Sequence, residues 1–171
     1  MASIGQPNIS GFATAISRPE ARARAYQEVF EENRHRLYSL AFYMSGNELV
    51  AEELMVNTFC RAFACSPDPD AETIDRALVT ELRELMPLGA LTLECAPAAD
   101  VAGLRRNTKR VELEAAVAQL PATERMIFLL HDVERCDHAR IGRLLGLNDQ
   151  ESSYGLHQAR LRLREILASK A

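Results

Sequence analysis

Residues 138–167 read HARIGRLLGLNDQESSYGLHQARLRLREIL, and the fold follows from how this stretch divides. Ile141, Leu144 and Leu145 share one face of a short helix spanning His138 to Leu145. Gly146 then permits a sharp turn, and the apolar Leu147 after it plugs the angle between two helices. Asn148 followed three residues later by Glu151 is a capping-box start, so a second, longer amphipathic helix is expected over 149–167. Two helices joined this tightly make a helix-turn-helix. Arg160, Arg162 and Arg164 lie on the longer helix, with 160 and 164 on one face and 162 off it. Gly155, inside that helix, costs about 1 kcal/mol of propensity relative to alanine.

Helical periodicity continues toward the N-terminus. Val111, Leu113, Val117 and Leu120 form one stripe before Pro121, and Met126, Ile127, Leu130 and Val133 form the next. The run 104–110, LRRNTKR, concentrates Arg105, Arg106, Lys109 and Arg110. Such runs are most often solvated helix faces, although no other stretch is as densely positive. Residues 87–103 lose the periodicity and gain Ala, Pro and Gly, which reads as a linker with room for a short helical piece.

Ahead of it, three helices are expected. The first starts at Pro19, carries Tyr26, Val29, Phe30, Leu37, Leu40, Ala41 and Met44 on one face, and ends at Ser45-Gly46-Asn47. The second buries Ala51, Leu54, Met55, Thr58, Phe59 and Ala62. After Ser66-Pro67-Asp68-Pro69-Asp70, with Asp70 as N-cap, the third carries Ile74, Leu78, Leu82 and Leu85 and stops near Pro87. The expected fold is therefore all-α, with two small helical domains joined by a linker. A mobile tail (1–18) precedes the first domain (19–86), the linker covers 87–106, and the helix-turn-helix domain covers 107–171.

Composition narrows the functional classes. The chain has 171 residues, 47% of them hydrophobic, so disorder throughout is excluded. With 20 Lys+Arg against 24 Asp+Glu, a uniformly basic coat is excluded as well, and any DNA contact must come from a local patch. The cysteines at 60, 65, 95 and 136 form no CxxC pair and no histidine stands at ligand spacing, so no zinc or other metal site is expected. They read as small free-thiol hydrophobes of a reducing compartment. The N-terminus has no signal-peptide pattern and no apolar run approaches the ~18 residues of a membrane span. A soluble, cytoplasmic protein without membrane insertion is the expectation. No P-loop, dinucleotide fingerprint or nucleophile elbow is present, so neither enzyme activity nor a cofactor is expected.

Two sets of short words then carry a family likeness. The first runs from Tyr26 to Phe63: Leu37-Tyr38-Ser39-Leu40-Ala41, Gly46-Asn47, Ala51-Glu52-Glu53-Leu54 and Thr58-Phe59-Cys60-Arg61-Ala62-Phe63. The second runs from Glu112 to Arg164: Leu120-Pro121, Arg125 with Ile127-Phe128-Leu129-Leu130, Ile141-Gly142, Leu144-Leu145-Gly146, Ala159-Arg160 and Leu163-Arg164. In this order, with a linker between, they resemble bacterial RNA polymerase sigma factors of the sigma-70 family, extracytoplasmic-function type. The resemblance covers a little over half of the chain. It implies that the first domain grips the clamp helices of core RNA polymerase and reads the melted downstream promoter element. The second would sit on the flap and read the upstream element of promoter DNA, with an anti-sigma factor as a further partner.

Residue by residue, the resemblance assigns polymerase binding to Glu48, Glu52, Glu53 and Asn57, an acidic edge suited to a basic partner helix. The structural alternative is that these acids only solvate their face and favour the helix dipole. Upstream DNA contacts fall to Gln150, Ser152, Ser153, Tyr154, His157, Arg160 and Arg164, and downstream contacts to Arg76 and Arg83. The chain departs from the family at several points. Val56 and Asn57 replace the usual glutamine and glutamate, and no tryptophan is present for stacking melted bases. Glu151-Ser152-Ser153-Tyr154-Gly155 stands where Thr-Val-Lys-Ser-Arg is common, and losing two phosphate contacts lowers the salt slope by nearly two units. The leading reading is a sigma factor directing promoter-specific initiation. Its alternative is a sigma-like decoy that binds an anti-sigma factor or polymerase without reading promoters. A free-standing helix-turn-helix repressor would leave the N-terminal words unexplained.

Overall fold

The computed structural model describes residues 18–93 and 109–169. Among them are seven α-helices and no strand: α1 (Arg18–Ser45), α2 (Glu48–Cys65), α3 (Ala71–Leu85), α4 (Arg110–Val117), α5 (Ala122–Phe128), α6 (His138–Leu145) and α7 (Asp149–Ser169). A π-helical turn, Leu129–Val133, continues α5. The expected tail up to residue 17, most of the expected linker, Cys95, Arg105 and Arg106 lie outside the described residues.

Local chemistry sets the helix ends. Gly46 adopts φ +68° and donates its N–H to the Phe42 carbonyl at 2.7 Å, closing α1. Asn47 Oδ1 accepts from the N–H groups of Leu49 and Val50 at 2.9 and 3.2 Å, which starts α2. Asp70 Oδ1 accepts from Thr73 N–H at 2.7 Å and starts α3. That bond, set against burial, holds the Asp70 carboxyl below its usual range.

Helices α1, α2 and α3 form the N-terminal core. Leu37, Leu40, Ala41 and Met44 meet Ala51, Leu54, Phe59 and Ala62, with Ile74, Leu78 and Leu82 closing the third side. Rings extend this core along α1, Phe30 lying 4.8 Å from Phe59 and Tyr26 4.3 Å from Phe63 between centroids. Leu85, expected in the core, is 57% exposed. It sits in the last turn of α3, whose middle is instead covered on more than one side, so that Asp75, Ala77, Val79 and Glu81 are buried too. Glu81 is answered by Arg61 from α2.

The C-terminal core joins Ala116, Val117, Leu120, Met126, Ile127, Leu130, Ile141, Leu144 and Leu145 with Leu156, Ala159, Leu163 and Ile166 of α7. Three expected core residues are exposed: Val111, Leu113 and Val133. The buried stripe is Ala116 and Val117 of α4 with Leu120 in the turn after it, so Leu113 lies at its open end and Val111 off it. Val133 leaves the stripe because the π turn advances each residue less than an α turn does. The Glu134 N–H reaches back five residues to the Leu129 carbonyl at 3.0 Å. Cys136 is buried, whereas Cys60 and Cys65 are exposed.

Candidate nucleic-acid interface

The turn between α6 and α7 has the expected chemistry. Gly146 is left-handed (φ +78°), and its N–H and that of Leu147 both donate to the Gly142 carbonyl, at 2.8 and 2.9 Å. Asn148 and Glu151 exchange reciprocal bonds of 2.8 Å each. Gly142 itself is a requirement that the sequence reading missed. A Cβ there would stand 2.5 Å from the Leu147 carbonyl oxygen, so only glycine lets the chain fold back this closely. No local signal separates this glycine from an ordinary helical one.

On α7, Gln150, Ser153, Tyr154, His157, Arg160 and Arg164 are all exposed, at spacings of three and four that keep them along one side. Ser152 is not among them. It is fully buried, on the face of Leu156, Ala159 and Leu163, and its Oγ lies 3.0 Å from His138 Nδ1. The His138 ring stacks on His131 with centroids 4.7 Å apart. Burial, then the neighbouring His131, lowers the His138 pKa. Ser152 thus ties α7 to α6 rather than facing a groove.

Arg160 is committed as well. Its Nη2 and Nε donate to the two oxygens of Asp132 at 2.6 and 3.0 Å, a fork that braces α7 against the π turn. Burial pushes the Asp132 carboxyl up, but Arg160 and His131 outweigh it and the net shift is downward. Arg162, off the shared face, pairs with Glu165 at 3.0 Å.

Residues 87–93, read as the start of the linker, lie against the C-terminal helices. Glu124, fully buried, accepts from the N–H groups of Thr92 and Leu93 at 2.6 and 2.7 Å. Gly89 N–H donates to Thr123 Oγ1 at 3.2 Å. Leu91 passes under α7 at Gly155, where a Cβ would be 2.7 Å from both Leu91 Cδ2 and Ile127 Cδ1. The glycine that costs helix propensity therefore makes room for this strap.

The expected downstream contacts on α3 differ from each other. Arg76 is exposed and bonded to Glu72 at 3.2 Å. Arg83 reaches across to α6, donating to the Leu145 and Leu144 carbonyls at 3.0 and 3.4 Å, so it caps that helix instead of waiting for phosphate. On α2, Glu48, Glu52, Glu53 and Asn57 are exposed. With them stand Leu49 (76% exposed) and Val56 (52%), which the sequence reading did not count as site residues. Residues 49, 52, 53, 56 and 60 recur on the side of α2 opposite its buried stripe, and that periodicity was the available signal. Among the described residues no group of three or more His, Cys, Asp or Glu could hold a metal ion. No described helix is long and apolar enough to cross a membrane.

Fold and site define a helical protein in two parts, ending in a helix-turn-helix whose second helix presents an outward polar row. Residues 110–163 match the family described as Sigma-70, region 4. The ECF RNA polymerase sigma factor SigE of Mycolicibacterium smegmatis is 26% identical over 164 residues, covering 87% of this chain. The chain spans 64% of that relative's length. In three dimensions it is similar to the sigma factor RpoE of Bartonella quintana, solved in complex with the anti-sigma factor NepR, with a TM-score of 0.65 and 15% identity. That superposition covers 85% of this chain and 98% of the other. Residues 110–163 are thus similar to sigma-70 region 4, and most of the chain is similar to a sigma factor of the extracytoplasmic-function type.

Proposed function

We propose that this chain is a sigma factor that binds core RNA polymerase and directs promoter-specific initiation, acting in the cytoplasm and performing no catalysis of its own. The observation that carries the reading is the outward row of α7 on a tightly turned helix-turn-helix, within the part that matches region 4. In this reading residues 107–171 read the upstream element, with Gln150, Ser153, Tyr154 and His157 at base edges and Arg164 on the backbone. Residues 19–86 dock polymerase and meet the downstream element, where Arg76 is the exposed cation. The similar RpoE is solved with an anti-sigma factor, which supports a partner of that kind here.

Polymerase docking falls to α2. Exposed Leu49 and Val56 give an apolar centre, and Glu48, Glu52 and Glu53 supply an acidic rim for a basic partner helix, with the neutral amide of Asn57 beside it. The double substitution Glu52→Lys and Glu53→Lys tests this. Both side chains are exposed, so the fold should be retained while affinity for core polymerase falls at least tenfold, about 1.4 kcal/mol. Unchanged affinity in a binding titration would remove α2 from the interface.

A further inference from the structure

A charged seam runs between the two parts of the chain, beside the Arg125–Met44 and Tyr43–Glu114 bonds that also join them. Asp75 of α3 is 1% exposed, and both of its oxygens are engaged. Oδ1 accepts from Arg36 Nη1 of α1 at 2.7 Å, and Oδ2 accepts from Arg140 Nη2 of α6 at 2.5 Å. Glu134, beyond the π turn, stands 3.7 Å from Arg36 and balances the cluster at two acids against two cations. Along the same seam Arg143 of α6 donates twice to Glu72 of α3, at 3.3 and 3.1 Å, and Arg83 of α3 caps α6.

A seam of this chemistry is suited to opening. Buried ion pairs repay little more than the desolvation they cost, so separating them into water is far less unfavourable than exposing an apolar seam. The closed arrangement also occupies the face of α3 that carries Arg83. We propose that Asp75 is an autoinhibitory latch: it clasps α3 to α6 in a resting closed form, and its release precedes polymerase and promoter engagement. The functional consequence rests on the sigma-factor reading, whereas the latch itself rests on the seam.

Two variants of the full chain test it. Asp75→Asn removes the central carboxylate. The double variant Arg140→Ala and Arg143→Ala removes only the α6 side, leaving Arg36 on Asp75, so that a folding defect in α3 cannot mimic opening. Small-angle scattering should show a larger radius of gyration for both variants at unchanged helical circular dichroism. Affinity for core polymerase should rise at least threefold. Variants as compact as the wild type would overturn the latch. Variants that expand while polymerase affinity stays at the wild-type value would overturn its autoinhibitory role. If neither wild type nor variants bind polymerase, the sigma-factor reading and the proposed autoinhibition fail together, while the scattering still decides whether Asp75 clasps the two parts.

Discussion

Replacing Gly142 with alanine is expected to destabilise the C-terminal helices by about 2 kcal/mol, as an overpacked site does. In an ordinary helix interior the same change stabilises by about 1 kcal/mol, so the expected sign is reversed. The reason is the backbone opposite. The new Cβ would lie 2.5 Å from the Leu147 oxygen, 3.4 Å from its carbonyl carbon and 3.7 Å from the Asn148 carbonyl carbon. These atoms cannot rotate aside. Leu147 N–H is bonded to the Gly142 carbonyl, and Asn148 is committed to the capping box with Glu151. Gly155→Ala is the informative contrast, because its clashes are with the ends of the Leu91 and Ile127 side chains, which can shift. Urea unfolding should show a clearly lower midpoint for Gly142→Ala than for Gly155→Ala. A Gly142→Ala protein as stable as the wild type would refute the turn geometry.

The second large effect is expected at Arg125. Its guanidinium gathers carbonyls from two otherwise separate helix ends. Nη2 donates to Ala118 and Leu120 at 2.6 and 2.7 Å, Nε to Leu120 at 3.2 Å, and Nη1 to Met44 at 2.9 Å. Met44 belongs to the last turn of α1, whose carbonyls have no partner within their own helix, and Ala118 follows α4. Burial lowers the Arg125 pKa, but a guanidinium remains charged throughout the working range. Arg125→Ala leaves these acceptors without their donor and should cost about 3 kcal/mol. Arg125→Lys should recover less than half of that, since one ammonium cannot reproduce the planar fork. Equal unfolding midpoints for Lys and Arg would show that charge alone matters here.

What the sequence discloses follows the range of each interaction. The α6–α7 turn was legible because Gly146, Leu147, Asn148 and Glu151 act within a few residues of one another. Asp70 was legible as a cap for the same reason. The inward turn of Ser152 was readable too, since it shares a helix face with Leu156 and Ala159, but the polar side chain argued for the outside. Val133 could not be placed, because the π turn that displaces it leaves no mark in hydrophobic spacing. The seam was hidden for a different reason. Asp75 finds Arg36 39 positions away and Arg140 65 away, and Arg83 finds Leu145 62 away. Each reads locally as one more charge on a solvated face. Glu124 was likewise silent, because its partners are backbone N–H groups of a segment that carries no helical period.

These residues divide the proposed site unequally. Gln150, Ser153, Tyr154, His157 and Arg164 remain on the outward row of α7, while Ser152 and Arg160 hold that helix in place. The proposed promoter reader is therefore thinly charged, and its upstream recognition must come from polar base contacts and from polymerase holding the complex together. Run-off transcription tests this most directly, using core RNA polymerase, fragmented genomic DNA of the source organism and the purified chain. Discrete transcripts that require the chain are the expected result. Stable binding to polymerase without any chain-dependent transcript, in a preparation free of anti-sigma factor, would contradict it and leave the decoy reading in its place.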